Sequence, residues 1–93
     1  MNELSKLKAL KDILFEKFGI EEIAIFGSVA RDEAREDSDI DIAIMKIKEK
    51  NYFKRVQAKY FLEEELKRKV DIGYFDSMRY PIQQEIEKDM IYV

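Results

Sequence analysis

Cysteine and histidine are both missing from this chain of 93 residues. Without cysteine there is no disulfide, no thiolate zinc site and no thiol nucleophile. Without histidine the commonest general base and the commonest transition-metal ligand are gone as well. Zinc is left without its usual ligands, and catalysis must rest on carboxylates, amines, hydroxyls or a hard cation held by oxygen. Glycine and proline are scarce, at three and one, and no linker rich in them divides the chain. Residues 1–93 therefore read as one domain. No run approaches the ~18 consecutive apolar residues of a membrane span. The opening Met1-Asn2-Glu3-Leu4-Ser5-Lys6 does not read as a secretory signal, so a cytoplasmic location is expected. With 17 Lys and Arg against 20 Asp and Glu, the net charge of −3 offers no basic face for autonomous binding to nucleic acid. The charged fraction of 40%, rich in Lys and Glu, leans towards a thermophilic source.

What is present suffices for one modest core, since 46% of the residues are hydrophobic. Leu4, Leu7, Leu10, Leu14 and Phe18 recur at three- and four-residue steps, which predicts one core-facing helix closed by Gly19. Ile23-Ala24-Ile25-Phe26 is a short apolar run suited to a buried strand. Gly27-Ser28 breaks it, and a short helix is expected from Val29 to Arg35. Asp39 to Ile47 alternates strictly, with Ile40, Ile42 and Ile44 on one face and Asp39, Asp41, Ala43 and Met45 on the other. A long helix follows, carrying Tyr52, Phe53, Val56, Tyr60, Phe61 and Leu66. Its expected inner stripe is Phe53, Val56 and Tyr60, with Tyr52 and Lys59 outside. Val70 to Phe75 reads as a strand with Asp71 and Gly73 on one face. Pro81 opens a last helix bearing Ile82 and Ile86, and Ile91-Tyr92-Val93 adds a short terminal strand. The order αβαβαβα implies an α/β chain, a small sheet covered by helices.

Chemistry concentrates between Phe26 and Ile42. A Gly-Ser pair after a buried strand and before a helix suits phosphate: glycine lets the backbone approach, and the Ser28 hydroxyl and nearby amides donate. The same pair could merely cap the helix. Asp39 and Asp41, two apart on a strand, share a face ~7 Å apart at the backbone. Carboxylates so placed repel unless a cation lies between them, and oxygen ligands with an incomplete shell suit Mg²⁺. A solvated turn from Glu36 to Asp39 would explain them as well. Asp71 strengthens the cation reading, because on an adjacent strand it could lie ~5 Å from one of the pair. Three acids from two strands beside a Gly-Ser loop would suit a two-metal phosphoryl-transfer site. Alone, Asp71 could instead pair with the basic Lys67-Arg68-Lys69.

Gly27-Ser28, ten intervening residues, Asp39-Ile40-Asp41 and a later Asp71 resemble the DNA polymerase β-type nucleotidyltransferase superfamily. The fuller pattern, Phe26-Gly27-Ser28-Val29-Ala30-Arg31 and Asp37-Ser38-Asp39-Ile40-Asp41-Ile42, resembles the minimal nucleotidyltransferases (MNT) of prokaryotes. The resemblance implies the nucleotidyltransferase fold, a small mixed sheet flanked by about four helices. It implies that Asp39 and Asp41 hold two Mg²⁺ ions, and that Asp71 ligates the second or takes the acceptor proton. Gly27 and Ser28 would grip the terminal phosphates of ATP, and Arg31 would add positive charge there or stand as a solvated helix residue. Glu33, Arg35 and Glu36 read as surface. Two departures stand out: Asp32, where many relatives carry Gly, so that a locally different turn is expected, and Asp89-Met90, where Glu-Gly is frequent.

The implied activity is transfer of AMP from ATP to an acceptor hydroxyl. Little chain follows Asp71 to build an acceptor-binding domain, so the acceptor is expected on another molecule. Among minimal members the resemblance points to a hetero-oligomer with a HEPN-domain toxin, neutralised when the MNT antitoxin adenylylates its tyrosine. The alternatives are a non-catalytic module that masks its partner and a small-molecule (drug) nucleotidyltransferase.

Overall fold

Leu4, Leu7, Leu10, Leu14 and Phe18 all reach the core, but from two helical segments rather than one. The computed structural model describes residues 2–35 and 37–93; the surface expectation for Glu36 falls outside them. Helix α1 (Asn2–Ala9) is separated from α2 (Lys11–Phe18) at Leu10, whose backbone sits at φ −95 and ψ −1. The Leu10 N–H bonds to the Leu7 carbonyl at 3.1 Å, three residues back, so one tightened turn divides the helix. Gly19 closes α2 as expected, at φ 69, with its N–H on the Phe15 carbonyl. That left-handed position is one that glycine occupies without steric cost.

Four strands form one mixed sheet in the order β3-β2-β1-β4. Strand β1 (Ile20–Phe26) runs antiparallel to β2 (Ile40–Ile47), which runs parallel to β3 (Val70–Tyr74). A parallel pair needs a crossover, and α4 (Tyr52–Leu66) supplies it. Asn51 caps α4, its side-chain oxygen accepting from the Lys54 N–H. The third strand ends one residue before Phe75, which opens a single 3₁₀ turn, Phe75–Ser77. Helix α5 (Tyr80–Asp89) carries Pro81 in its first turn, and β4 (Ile91–Tyr92) returns beside Ala24 and Ile25. Of its two expected apolar contacts Ile86 is buried, while Ile82 is exposed.

Ile40, Ile42 and Ile44 are buried in one cluster with Leu7, Leu14, Phe18, Ala58, Leu62 and Val70. Fully burying such a side chain is worth about 1.5–3 kcal/mol, and a one-residue slip would exchange isoleucines for aspartates. That burial fixes the register and with it the face on which Asp39 and Asp41 stand. The inner stripe expected on α4 is corrected: Phe53 and Tyr60 are 77% and 61% exposed, and Ala58, Leu62 and Leu66 face the sheet. At 3.6 residues per turn, Phe53 and Tyr60 stand roughly 140–160° around the helix from Ala58. Small Ala58 lets the helix sit close to the strands, and Phe61 fills the flank with its ring 5.8 Å from that of Phe18. Among the described residues, no helix is long and apolar enough to cross a membrane.

Candidate active site

Strand pairing brings the expected residues together. Asp41 pairs with Asp71 across the parallel β2–β3 ladder, and with Phe26 across the antiparallel β1–β2 ladder. Asp39 lies immediately before β2, and Gly27 immediately after β1. The Asp41 carboxylate therefore rests against the Gly27 backbone. A Cβ on Gly27 would overlap Asp41 Oδ2 and lie 3.3 Å from its Cγ, and the glycine holds φ 73. Both the space and the backbone demand glycine here.

Asp41 senses the charges of the other two acids. The Asp41 carboxyl is raised above its ordinary value, first by burial, then by the charges of Asp71 and Asp39, while Arg31 opposes the rise. Asp39 and Asp71 are exposed, and Asp41 is half-buried. Asp71 makes no ion pair with the preceding basic run among the described residues, which removes its simplest structural explanation. Nor, among the described residues, do three acids converge tightly enough to hold a metal as they stand. The donors are nonetheless all carboxylate oxygens in mutual repulsion, a set that fits a hard divalent cation.

The segment after Gly27 differs from the expected helix over Val29–Arg35. Helix α3 spans Gly27–Ala30 only, and its N-cap position is Phe26, with no side-chain cap. Ser28 is thus inside the first turn and does not serve as the cap. Asp32 terminates the helix at φ 59. Its N–H bonds to the Val29 carbonyl at 3.2 Å, and the Glu33 N–H to the Ser28 carbonyl at 2.8 Å. This is the double closure usually made with glycine in the left-handed position. Asp32 thus holds the left-handed conformation that glycine takes without steric cost.

Arg31 is neither free nor simply solvated. Its Nε donates to Glu33 Oε2 and its Nη1 to Asp89 Oδ2, each at 3.2 Å, and these bonds, Asp89 foremost, hold the guanidinium firmly protonated. Asp89, at the end of α5, stood out from the sequence as a departure from the family pattern and not as a partner of Arg31. Sequence separation hid this contact, because the two partners stand 58 positions apart. Glu33 and Arg35 are exposed as expected.

Residues 8–93 match the family described as "Polymerase beta, Nucleotidyltransferase". The chain belongs to this nucleotidyltransferase family. It is 39% identical over 98 residues to a Methanocaldococcus jannaschii protein assigned as a protein adenylyltransferase, covering 100% of both chains. It is 36% identical over 89 residues to the protein adenylyltransferase MntA of Thermococcus cleftensis, covering 96% of this chain and 90% of that one. Among solved structures, a toxin–antitoxin with AMP-PNP superposes with a TM-score of 0.79 at 24% identity, covering 99% of this chain and 72% of that one. A tri-AMPylated Shewanella oneidensis HEPN toxin in complex with MNT antitoxin gives a TM-score of 0.70 at 22% identity, covering 99% and 71%. At these identities the two structures speak for the fold alone.

Proposed function

We propose that this nucleotidyltransferase is an Mg²⁺-dependent protein adenylyltransferase, the antitoxin of a HEPN/MNT pair, which moves AMP from ATP to a hydroxyl of its partner. The observation that carries the reading is the Asp41–Asp71 pair beside the Gly27 backbone, with Asp39 adding its charge to the same carboxyl. A cluster of three acids next to a bare glycine turn, with Arg31 the opposing charge at Asp41, suits a cation and a phosphate chain together. The adenylyltransferase names of the relatives and the AMPylated HEPN toxin beside one structural neighbour support the substrate and the partner.

In this mechanism Gly27 gives the triphosphate room against the backbone, and Ser28 donates its hydroxyl to a phosphate oxygen. Asp39 and Asp41, with Asp71, would hold Mg²⁺. Two ions held there supply charge neutralisation along the triphosphate and a more acidic acceptor hydroxyl. Asp71, exposed beside Asp41, is placed to receive the acceptor proton in a protein without histidine. Arg31, held by Glu33 and Asp89, adds fixed positive charge near the Asp41 carboxyl. The acceptor oxygen bonds to the α-phosphorus as the α–β anhydride breaks, so pyrophosphate leaves.

Calorimetric titration with Mg²⁺ and ATP tests the shared site. Mg²⁺ is expected to bind weakly alone and at least tenfold more tightly with ATP, because the triphosphate completes its oxygen shell. Independent, additive binding of the two ligands would contradict the proposal.

A further inference from the structure

Asp39 carries no hydrogen bond of its own among those described, yet the peptide groups on either side of it are tied to a single segment. The Ser38 carbonyl accepts from Arg68 Nη2 at 2.7 Å, and the Ile40 N–H donates to the Lys69 carbonyl at 2.9 Å. The same Nη2 also donates to the Arg35 carbonyl at 2.7 Å, and Arg68 Nη1 is engaged by Glu3 Oε1 from α1. The Arg68 side chain is only 15% exposed, and its bonds to the Ser38 carbonyl and to Glu3 are partly buried, while that to the Arg35 carbonyl is exposed. From Arg68 the chain runs directly into β3 and reaches Asp71 three residues later. One four-residue stretch therefore holds the approach to Asp39 and delivers the third acid.

We propose that Arg68 is a positioning residue: its guanidinium fork fixes the turn before Asp39 to the start of β3, and so sets Asp39 against Asp41 and Asp71. The inference rests on the nucleotidyltransferase reading of those acids and extends it to a residue that touches neither nucleotide nor acceptor. A fork is needed because two carbonyls and a carboxylate must be reached at once from one planar group. A lysine ammonium keeps the charge and can serve only part of that set. Two exposed acids within reach of a third repel, so without a tether Asp39 would swing out into water. Groups that orient metal ligands from behind are commonly worth 10–100-fold in metal affinity.

Two readouts on Arg68→Lys test this, neither of which needs catalysis. Amide hydrogen exchange at Ser38 and Ile40, whose N–H groups donate to the Arg35 and Lys69 carbonyls, is expected to rise at least tenfold while α5 keeps its protection. Mn²⁺ affinity, followed by the paramagnetic resonance of the free ion with ATP present, is expected to fall 10–100-fold. Glu3→Gln is the control: it loosens the α1 contact but leaves both carbonyl bonds, so exchange and Mn²⁺ affinity should stay within about twofold of wild type. Should Glu3→Gln reproduce the Arg68→Lys effects, Arg68 merely docks α1 and the proposal is overturned. It is equally overturned if Arg68→Lys folds and leaves both readouts unchanged. Should Arg68→Lys fail to fold, the wild-type protein still decides. The Nη2 protons of Arg68 must then exchange slowly and resolve from free arginine by nitrogen NMR, and averaged, solvent-like signals would exclude the clamp. Loss of adenylyl transfer in wild type with these exchange results intact would sink the functional reading and leave the positioning role standing.

Discussion

Replacing Gly27 by alanine separates two costs that the fold superimposes at one residue. The backbone cost comes from φ 73, where an L-residue pays about 1–2 kcal/mol. Part of this, about 0.5–1 kcal/mol, is returned because alanine restricts the unfolded chain. The second cost is contact: the new Cβ would overlap the Asp41 carboxyl, which must leave its rotamer at about 0.5–1.5 kcal/mol. Gly19 is the internal reference. It holds φ 69, but the nearest atom to a new Cβ there is Lys48 Cβ at 3.6 Å, an ordinary contact. Gly19→Ala therefore pays the backbone cost alone, about 1 kcal/mol, or roughly 4–8 °C in melting temperature for a domain of this size. Gly27→Ala should cost roughly 2 kcal/mol and about twice the shift. In the double variant Gly27→Ala/Asp41→Ala the excess should disappear, giving a coupling of at least ~0.5 kcal/mol. Calorimetric melting of the four variants, with Asp41→Ala as the remaining corner, measures each quantity. Equal shifts for Gly27→Ala and Gly19→Ala, with no coupling to Asp41, would refute the close approach on which the site is built.

Three other outcomes are expected. Asp39→Asn and Asp41→Asn should keep the fold and reduce transfer by orders of magnitude in a steady-state assay, since metal stabilisation of the transferring phosphate is worth several kcal/mol. The Asp41 carboxyl is raised from 3.8, so the folded state holds this proton more tightly than the unfolded chain. Its contribution is present at acid pH and is lost as pH climbs from 3.8 through the raised value. Asp41→Asn should accordingly flatten the pH–stability profile in that window and stabilise neutral protein. Carboxylates ~5 Å apart in a water-like dielectric repel by roughly 0.8 kcal/mol, which sets the scale for this exposed cluster. Lys67, which ends α4 at φ 57, and Asp32 at φ 59 occupy glycine conformations. Lys67→Gly and Asp32→Gly should each stabilise by about 0.5–1 kcal/mol in urea titrations, whereas Asp32→Val should destabilise by more than 1 kcal/mol.

Period and spacing made most of the framework legible. The alternation of Ile40, Ile42 and Ile44 against Asp39 and Asp41 follows from the two-residue repeat of a strand, and the core enforces it. Gly19 and Gly27 announced breaks where the backbone turns left-handed. The pairing of Asp41 with Asp71 was readable as adjacency but not as register, which the crossover helix decides. Composition misled on α4, where Phe53 and Tyr60 look like core residues and stand in solvent. The sheet selects the Ala58-Leu62-Leu66 seam instead, because a small residue at the contact lets helix and strands approach. Short range also failed at Arg31 and Arg68. Their partners Asp89, Glu3, Arg35 and Ser38 come from elements that only the folded chain brings together, and no local pattern records such meetings.

Transfer of an adenylyl group to a partner is the central claim, and intact-mass spectrometry of that partner tests it most directly. The chain is co-purified with a HEPN-domain protein, incubated with Mg²⁺ and each of the four ribonucleoside triphosphates, and the partner is weighed. With ATP the partner should gain the mass of one or more AMP groups on a hydroxyl side chain, and Asp41→Asn should abolish the gain while the complex survives. A confirmed complex whose partner gains no mass with any of the four nucleotides would contradict the account and leave a masking module in its place.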